Sequence, residues 1–335
     1  MQPPQLSRRN FLRSVTCGAG AAATLPVFPA SAAAARISGK ARPVILTTDI
    51  GDDIDDTWAL GFLLKCQELD LKLVVGDYGR REYRAKLLAK FLQAAGRSKI
   101  PIGMGIDGEP RGDGPQGAWL KDYDLGSYPG RVHPDGVQAM IDTVMRSRDP
   151  VTIIAIGPMP NVAAALEREP RIAKVARFVG MYGSVRKGYG GSTTPSLEWN
   201  VKANPKACQK AFTAPWPMTI TPLDTCGVVK LDGDRYRRVR DSRDPMASTI
   251  IENYRIWSQA NKERNQAETH SSVLFDTVAV YLAFSQNLCT MERLGIRVTD
   301  DGSTLIDKRA KRVDVATDWK SLDGYLDFLV SRLTT

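Results

Sequence analysis

The chain has 335 residues, 43% of them hydrophobic and 25% charged, which excludes a wholly disordered or membrane-embedded protein and suffices for one large α/β domain or two small ones. The formal charge of +9 suggests nucleic acid at first, but Arg8, Arg9 and Arg13 fall in a removable leader, and without those three the charge is +6. The remaining basic residues are interspersed with acidic ones, as around Arg235, Arg237, Arg238 and Arg240, and form no basic and aromatic stripe, so nucleic acid is set aside as a partner.

Residues 1–34 read as a targeting leader. Ser7-Arg8-Arg9-Asn10-Phe11-Leu12 is a twin-arginine pattern, followed by a weakly apolar Ala/Gly-rich run from Val15 to Val27 and the small residues Ala30-Ser31-Ala32. Cleavage is expected after Ala32, with Ala34 and Ala35 as alternatives. The pattern predicts export by the twin-arginine route to the periplasm or beyond, with the mature domain over residues 40–335. Cys17 lacks a lipidation context, and no later run approaches the roughly 18 apolar residues of a spanning helix, so no stable membrane anchor is expected. Cys66, Cys208, Cys226 and Cys289 have no CxxC spacing; buried free thiols are favoured, although an oxidising destination permits disulfides.

The stretch Val44 to Leu60, VILTTDIGDDIDDTWAL, is the segment around which the mature domain is organised. A β-favouring run leads into Asp49, Gly51, Asp52, Asp53, Asp55 and Asp56, and an apolar helical pattern begins at Trp58. Five carboxylates in eight residues repel one another unless they are solvated or share a cation. An acidic helix N-terminus would account for one or two of them, not for five. A hard divalent cation at the end of a strand is the economical explanation.

Helix is expected over Thr57–Gln67, strand over Leu71–Val75, helix over Arg80–Ala95 with Gly96 as its stop, and strand over Ile100–Ile102. This is the βαβαβ alternation of a parallel sheet, which carries its sites on the loops after the strands. Met104–His133, rich in Gly, Pro and aromatic residues, reads as a mobile loop over the site. Asp135–Arg148 is helical, Val151–Ile156 a buried strand, and Gly157-Pro158-Met159-Pro160-Asn161 turns into a helix over Val162–Glu169. Ala176–Met181 is a strand followed by a loop, Gly183–Asn200, that holds Glu198 and Asn200. Pro205–Phe212 is a helix and Met218–Thr221 a strand. The chain from Arg235 to Phe284 is mostly helical, with Asp276 opening the run Thr277–Phe284. Ile296–Thr299 and Val313–Thr317 read as late strands and Ser321–Leu333 as a closing helix. Alone, Asp276 reads as a helix cap and Asp77 as a turn residue, while Glu198 and Asn200 read as loop polar groups.

Taken in order, these segments resemble the inosine-uridine nucleoside hydrolase family, the calcium-dependent N-ribohydrolases, over nearly the whole mature chain. The family opens D-x-D-P-G-x-D-D-A-x-A-L; Thr48-Asp49-Ile50-Gly51 and Asp55-Asp56-Thr57-Trp58-Ala59-Leu60 match it with two extra residues between the halves. Ile156-Gly157-Pro158-Met159-Pro160-Asn161 is similar to its G-P-L-T-N element, Pro195–Asn200 to its ribose-binding segment, Phe275-Asp276 to its His-Asp pair, and Gly76-Asp77 to its Gly-Asn pair. The resemblance implies a single Rossmann-like α/β fold with a mostly parallel central sheet flanked by helices. It implies hydrolysis of the N-glycosidic bond of ribonucleosides by a calcium-bound water, giving ribose and free base. Asp49, Asp56, the carbonyl of Ile156 and Asp276 would ligate Ca2+, and Asp49 would be the general base. Asp55, Asp77, Glu198 and Asn200 would face the sugar, and Asp53 has no settled role. The partner the resemblance implies is a small-molecule nucleoside; a homo-oligomer is left open, and the sequence does not give the oligomeric state.

The chemistry suits the residue types. Calcium takes six to eight oxygens, and cleavage passes through an oxocarbenium-like sugar that carboxylates stabilise. The departures concern the base. Phe275 replaces the family histidine, the segment near Gln116-Gly117 lacks another, and Ser192 stands for an asparagine. Only His133 and His270 are left as displaced acids or ordinary surface histidines. Trp119, Tyr123, Tyr182, Tyr189 and Trp199 are candidates for stacking on a base or for packing. Two rival readings remain: a ribose- or nucleoside-binding pseudoenzyme of the same fold, and a metal-dependent phosphohydrolase. Against the second, no basic residue neighbours the acidic loop in sequence to clamp phosphate.

Overall fold

The computed structural model describes residues 40–108, 113–263 and 265–335; the leader predicted over residues 1–34 lies outside them. Ten strands form one sheet: β1 (Arg42–Thr48), β2 (Leu69–Gly76), β3 (Ile102–Gly103), β4 (Val132–His133), β5 (Thr152–Ala155), β6 (Arg177–Met181), β7 (Met218–Thr221), β8 (Cys289–Val298), β9 (Thr304–Ile306) and β10 (Arg312–Trp319). Their spatial order is β4-β3-β2-β1-β5-β6-β7-β10-β8-β9. All neighbours from β4 through β10 run parallel, and β8 and β9 extend the β10 edge antiparallel. The expected parallel α/β architecture is therefore the one observed.

Continuous apolar strands are what a sheet covered on both faces requires, because alternate side chains enter opposite layers. Val44 and Leu46 of β1 join the layer under the helix Asp55–Lys65, while Ile45 joins the layer on the other face with Leu73, Val75 and Ile153. The chain leaves β1 toward β2, β3 and β4, then crosses back to place β5 on the other side of β1. The crevice at such a reversal, outside the carboxyl ends of the two strands, is where open α/β sheets bind ligands. Thr47 pairs with Ala155, so Asp49 and Ile156 emerge side by side from that crevice.

Three differences from the sequence expectations have physical causes. The described part of the 104–133 segment is packed rather than free-standing: it contains the turns Gly117–Leu120 and Leu125–Ser127 and strand β4, and it buries Gln116, Trp119 and Tyr128. Its order comes from contacts far away in the chain, such as the Tyr128 hydroxyl donating to the Ile100 carbonyl at 2.7 Å, which no local periodicity encodes. The strand expected at Ile296–Thr299 begins at Cys289, and β9 was not anticipated at all. Both lie at the edge of the sheet, where half-exposed polar residues mask the alternation. The four cysteines among the described residues, Cys66, Cys208, Cys226 and Cys289, are buried free thiols. No helix among the described residues is long and apolar enough to cross a membrane.

Candidate active site

The acidic loop follows β1 and is held at several points. Ile50 buries its side chain, and Gly51 adopts φ +108, a conformation open to glycine but not to residues with a Cβ. The Tyr83 hydroxyl donates to the Gly51 carbonyl at 3.0 Å and the Trp257 indole N–H to the Asp52 carbonyl at 2.9 Å. Arg84 donates to the Ile50 carbonyl and to Asp52 Oδ2, each at 2.7 Å. No basic residue neighbours the loop in sequence, but the fold brings Arg84 to it from the helix Arg81–Ala94. Arg84 is only 2% exposed and its guanidinium is committed to the loop itself, so it is not placed to clamp a phosphate. Its signal was present in the sequence as an arginine in the buried helical stripe Arg84, Leu87, Leu88 and Phe91.

Beyond the loop, Asp55 and Asp56 open the helix Asp55–Lys65, and Asp276 lies in the first turn of the helix Phe275–Leu282. Carboxylate oxygens of these three buried residues lie within 4.8 Å of one another, a group that could hold a metal ion. Asp55 Oδ2 also accepts the Asp276 backbone N–H at 3.1 Å, across 221 residues. Asp56 accepts from the Thr48 hydroxyl. Asp49 stands outside the tight trio, yet its charge acts on both Asp56 and Asp276. Burial first, and mutual repulsion second, push the carboxyls of Asp56 and Asp276 well above the usual carboxylate range. Burial likewise raises Asp49, against the pull of Arg84. An all-oxygen, buried and self-repelling donor set fits a hard divalent cation.

The second half of the site comes from the ends of β2, β5 and β6. A Cβ on Gly157 would lie 2.9 Å from Asp49 Oδ1 and 3.1 Å from Asp77 Oδ2, so the glycine lets the two carboxylates converge. Asp77 accepts the backbone N–H groups of Met159 at 2.7 Å and Asn161 at 3.3 Å, which makes it the acceptor at the start of the helix Pro160–Arg168. Burial pushes its carboxyl up to about 7. Glu198 caps the helix Trp199–Ala203: it accepts N–H bonds from Gly183 at 2.9 Å, Asn200 at 2.7 Å and Val201 at 3.2 Å, and burial raises its carboxyl to about 7. Asn200 Nδ2 donates to the Ile156 carbonyl at 3.3 Å and to the Met181 carbonyl at 3.1 Å. Thus the segments singled out at Ile156, Glu198 and Asn200 do meet. Two of their polar groups also serve as local scaffolding, which their spacing did not announce.

The rim is different in kind. Asp53 is exposed and its Oδ1 accepts the Ile54 N–H at 2.7 Å. Tyr189 and Trp199 are 43% and 42% exposed; the Tyr189 hydroxyl accepts the Trp199 N–H at 3.0 Å, and its ring meets Phe275 edge to face at 6.0 Å. Trp119 and Tyr182 are core residues, and Tyr123 bonds to Gln93 outside the site. Ser192 is exposed, its hydroxyl accepting the Thr194 N–H at 3.2 Å within its own turn. His133 lies on β4, three strands from β1 or about 14 Å by strand spacing. The His270 ring contacts the carbonyl of its neighbour Ser271 at 2.8 Å. Neither histidine bonds to the acid cluster.

Buried carboxylates and anchored polar groups at the reversal of a parallel sheet, with Tyr189, Trp199 and Phe275 nearby, mark an α/β protein with a group that could hold a metal ion at its strand ends. The chain belongs to the inosine-uridine preferring nucleoside hydrolase family, whose model matches residues 44–323. It is similar to the pyrimidine-specific ribonucleoside hydrolase RihA of Citrobacter koseri, 26% identical over 88% of this chain and 98% of that protein. RihA of Escherichia coli O1:K1 / APEC is 25% identical over the same shares. Among solved structures, a plant nucleoside hydrolase, PpNRh1, superposes with a TM-score of 0.74 at 22% identity, covering 88% of this chain and all of that one. A purine-preferring ribonucleoside hydrolase from Gardnerella vaginalis gives 0.72 at 20% identity, over 88% and 98%. These two likenesses concern the fold.

Proposed function

We propose that this chain hydrolyses the N-glycosidic bond of ribonucleosides, yielding ribose and free base, at a calcium site built from Asp49, Asp56, Asp276 and the carbonyl of Ile156. The observation that carries this reading is the meeting of Asp55, Asp56 and Asp276 beside Asp49, from opposite ends of the chain. Bound there, a divalent cation supplies positive charge that eases loss of a proton from water near neutral pH. Asp49, the buried carboxylate beside the cation site, accepts that proton. The buried acidic floor stabilises the positive charge that develops on the sugar.

Asp55, Asp77, Glu198 and Asn200 hold the sugar hydroxyls. Glu198 accepts three backbone N–H groups and so keeps about one of its four acceptor positions for a hydroxyl, with its direction fixed by the other three. Tyr189, Trp199 and Phe275 offer apolar surface to the base.

A calcium-supplemented screen for base release over a panel of purine and pyrimidine nucleosides, with a chelator control, tests this reading. Release of ribose and base that stops on chelation is the expected result. Sugar-dependent binding without turnover would instead mark a nucleoside-binding pseudoenzyme. The twin-arginine pattern at Ser7–Leu12 supports export to the periplasm or beyond. Replacing Arg8 and Arg9 with lysine is expected to retain the protein in the cytoplasm, as followed by cell fractionation.

A further inference from the structure

Arg84 is a charged residue placed where charge is costly, since a buried guanidinium is tolerated only if its donors are matched. Each of its three nitrogens is. Nε donates to the Tyr78 carbonyl at 3.0 Å, Nη1 to the Ile50 carbonyl at 2.7 Å and Nη2 to Asp52 Oδ2 at 2.7 Å. Tyr78 follows β2, whereas Ile50 and Asp52 follow β1, so one planar fork ties together the two loops that carry Asp77 and Asp49.

The surroundings are shaped to admit it. A Cβ on Gly76 would meet Arg84 Cβ at 2.6 Å, and one on Gly79, at φ +75, would meet Nη2 at 3.0 Å. The tie also reaches Ile50 and Asp52, the second at the start of residues 52–54, where the two extra residues fall between the halves of the acidic motif. Those residues lengthen the path from Asp49 to Asp55, and a longer loop needs more fixing to hold its first carboxylate in place.

We infer that Arg84 is a positioning residue for the cation site: its fork fastens the loop after β1 to the loop after β2 and so fixes Asp49 relative to Asp55, Asp56 and Asp276. The inference rests on the proposed metal site. Arginine is required because three acceptors at fixed angles match a guanidinium, whereas a lysine ammonium would keep the charge and lose the fork.

The test compares wild type, Arg84→Lys, Arg84→Met and Asp52→Asn, with folding checked by circular dichroism. Calcium affinity is measured calorimetrically on chelator-stripped protein, and kcat and KM at saturating calcium. Both Arg84 variants are expected to bind calcium about tenfold or more weakly, as when a group supporting a metal ligand is removed. Lysine is expected not to rescue. Their kcat at saturating calcium stays down by about tenfold with nucleoside KM moving less than about threefold, because Asp49 and not sugar binding is disturbed. Asp52→Asn, which keeps the two carbonyl bonds and loses a half-exposed ion pair, is expected to cost about threefold in calcium affinity. Wild-type affinity and kcat in Arg84→Lys would reduce Arg84 to a countercharge and overturn the inference. Should both Arg84 variants fail to fold, unchanged affinity in Asp52→Asn overturns it. If wild type itself binds no divalent cation, the metal reading falls first and this inference with it.

Discussion

The floor and the rim of the crevice are built on opposite principles. On the floor, Asp49, Asp55, Asp56, Asp77, Glu198 and Asp276 are all buried; backbone N–H groups, a threonine hydroxyl or Arg84 hold or act on the first five, and Asp276 faces the other carboxylates. At the rim, Asp53, Tyr189 and Trp199 are exposed, and the Tyr189 hydroxyl accepts the Trp199 N–H. A buried polar group without partners is expensive, so the floor admits one arrangement, whereas the rim can change without loss of fold.

Breaking the floor at its centre should have the largest effect. Asp56→Ala is expected to abolish calcium binding and to lower base release by about 10³-fold or more, in line with losing a metal that stabilises charge in the transition state. Calorimetric titration and a nucleoside assay check this, and calcium affinity equal to wild type would remove Asp56 from the ligand set. Glu198→Ala should cost about 10²-fold in kcat/KM through lost sugar orientation. It should also cost about 1–2 kcal/mol in stability, because the cap of the helix Trp199–Ala203 goes with it. Denaturant unfolding beside steady-state kinetics separates the two effects.

The same floor predicts a pH dependence that the rim does not share. Asp77 and Glu198 are each raised to about 7, so between roughly pH 4 and 7 the folded, metal-free protein binds more protons than the unfolded chain. Its stability should therefore fall as pH rises through that window, giving a lower Tm at pH 8 than at pH 5 in chelator. Calcium should close most of the gap at pH 8. A chelator-treated protein that is equally or more stable at pH 8 would contradict the buried acidic floor. The smallest effects belong to the rim. Trp199→Ala should shift nucleoside KM by only a few fold, about the value of one exposed aromatic contact, and leave calcium affinity untouched. Phe275→His, which returns a titratable group to the wall of the base pocket, should raise turnover of poorly activated nucleosides; no gain on any of them would show that leaving-group protonation is not limited by this position.

Much of the fold was legible because it is written between near neighbours. The buried strand at Val151–Ile156, the β7 segment Met218–Thr221 and the helix stop at Gly96 are period, propensity and glycine signals that act over a few residues. Strand β9 and the packing of Trp119 and Tyr128 were not legible, because partners more distant in the chain decide them. The acidic loop was conspicuous as a cluster of like charges. That Asp55 would form a tight trio with Asp56 and Asp276 was not conspicuous, because only tertiary packing brings Asp276 to it.

By itself, the sequence determined that a parallel α/β sheet would carry an acidic loop at a strand end, with candidate oxygen donors at Ile156, Glu198, Asn200 and Asp276 in a recognisable order. Only the tertiary structure decided that Asp77 would serve a helix start 82 residues later, that Glu198 would face three backbone N–H groups, and that Arg84 would lie beneath the loop. The physical reason is packing between distant segments: the reversal of strand order at β1 and β5 gathers the ends of those strands, and the helix Phe275–Leu282 brings Asp276 to Asp55, 221 positions away. Only there do burial and the need to satisfy every polar atom choose which carboxylates support and which remain for chemistry.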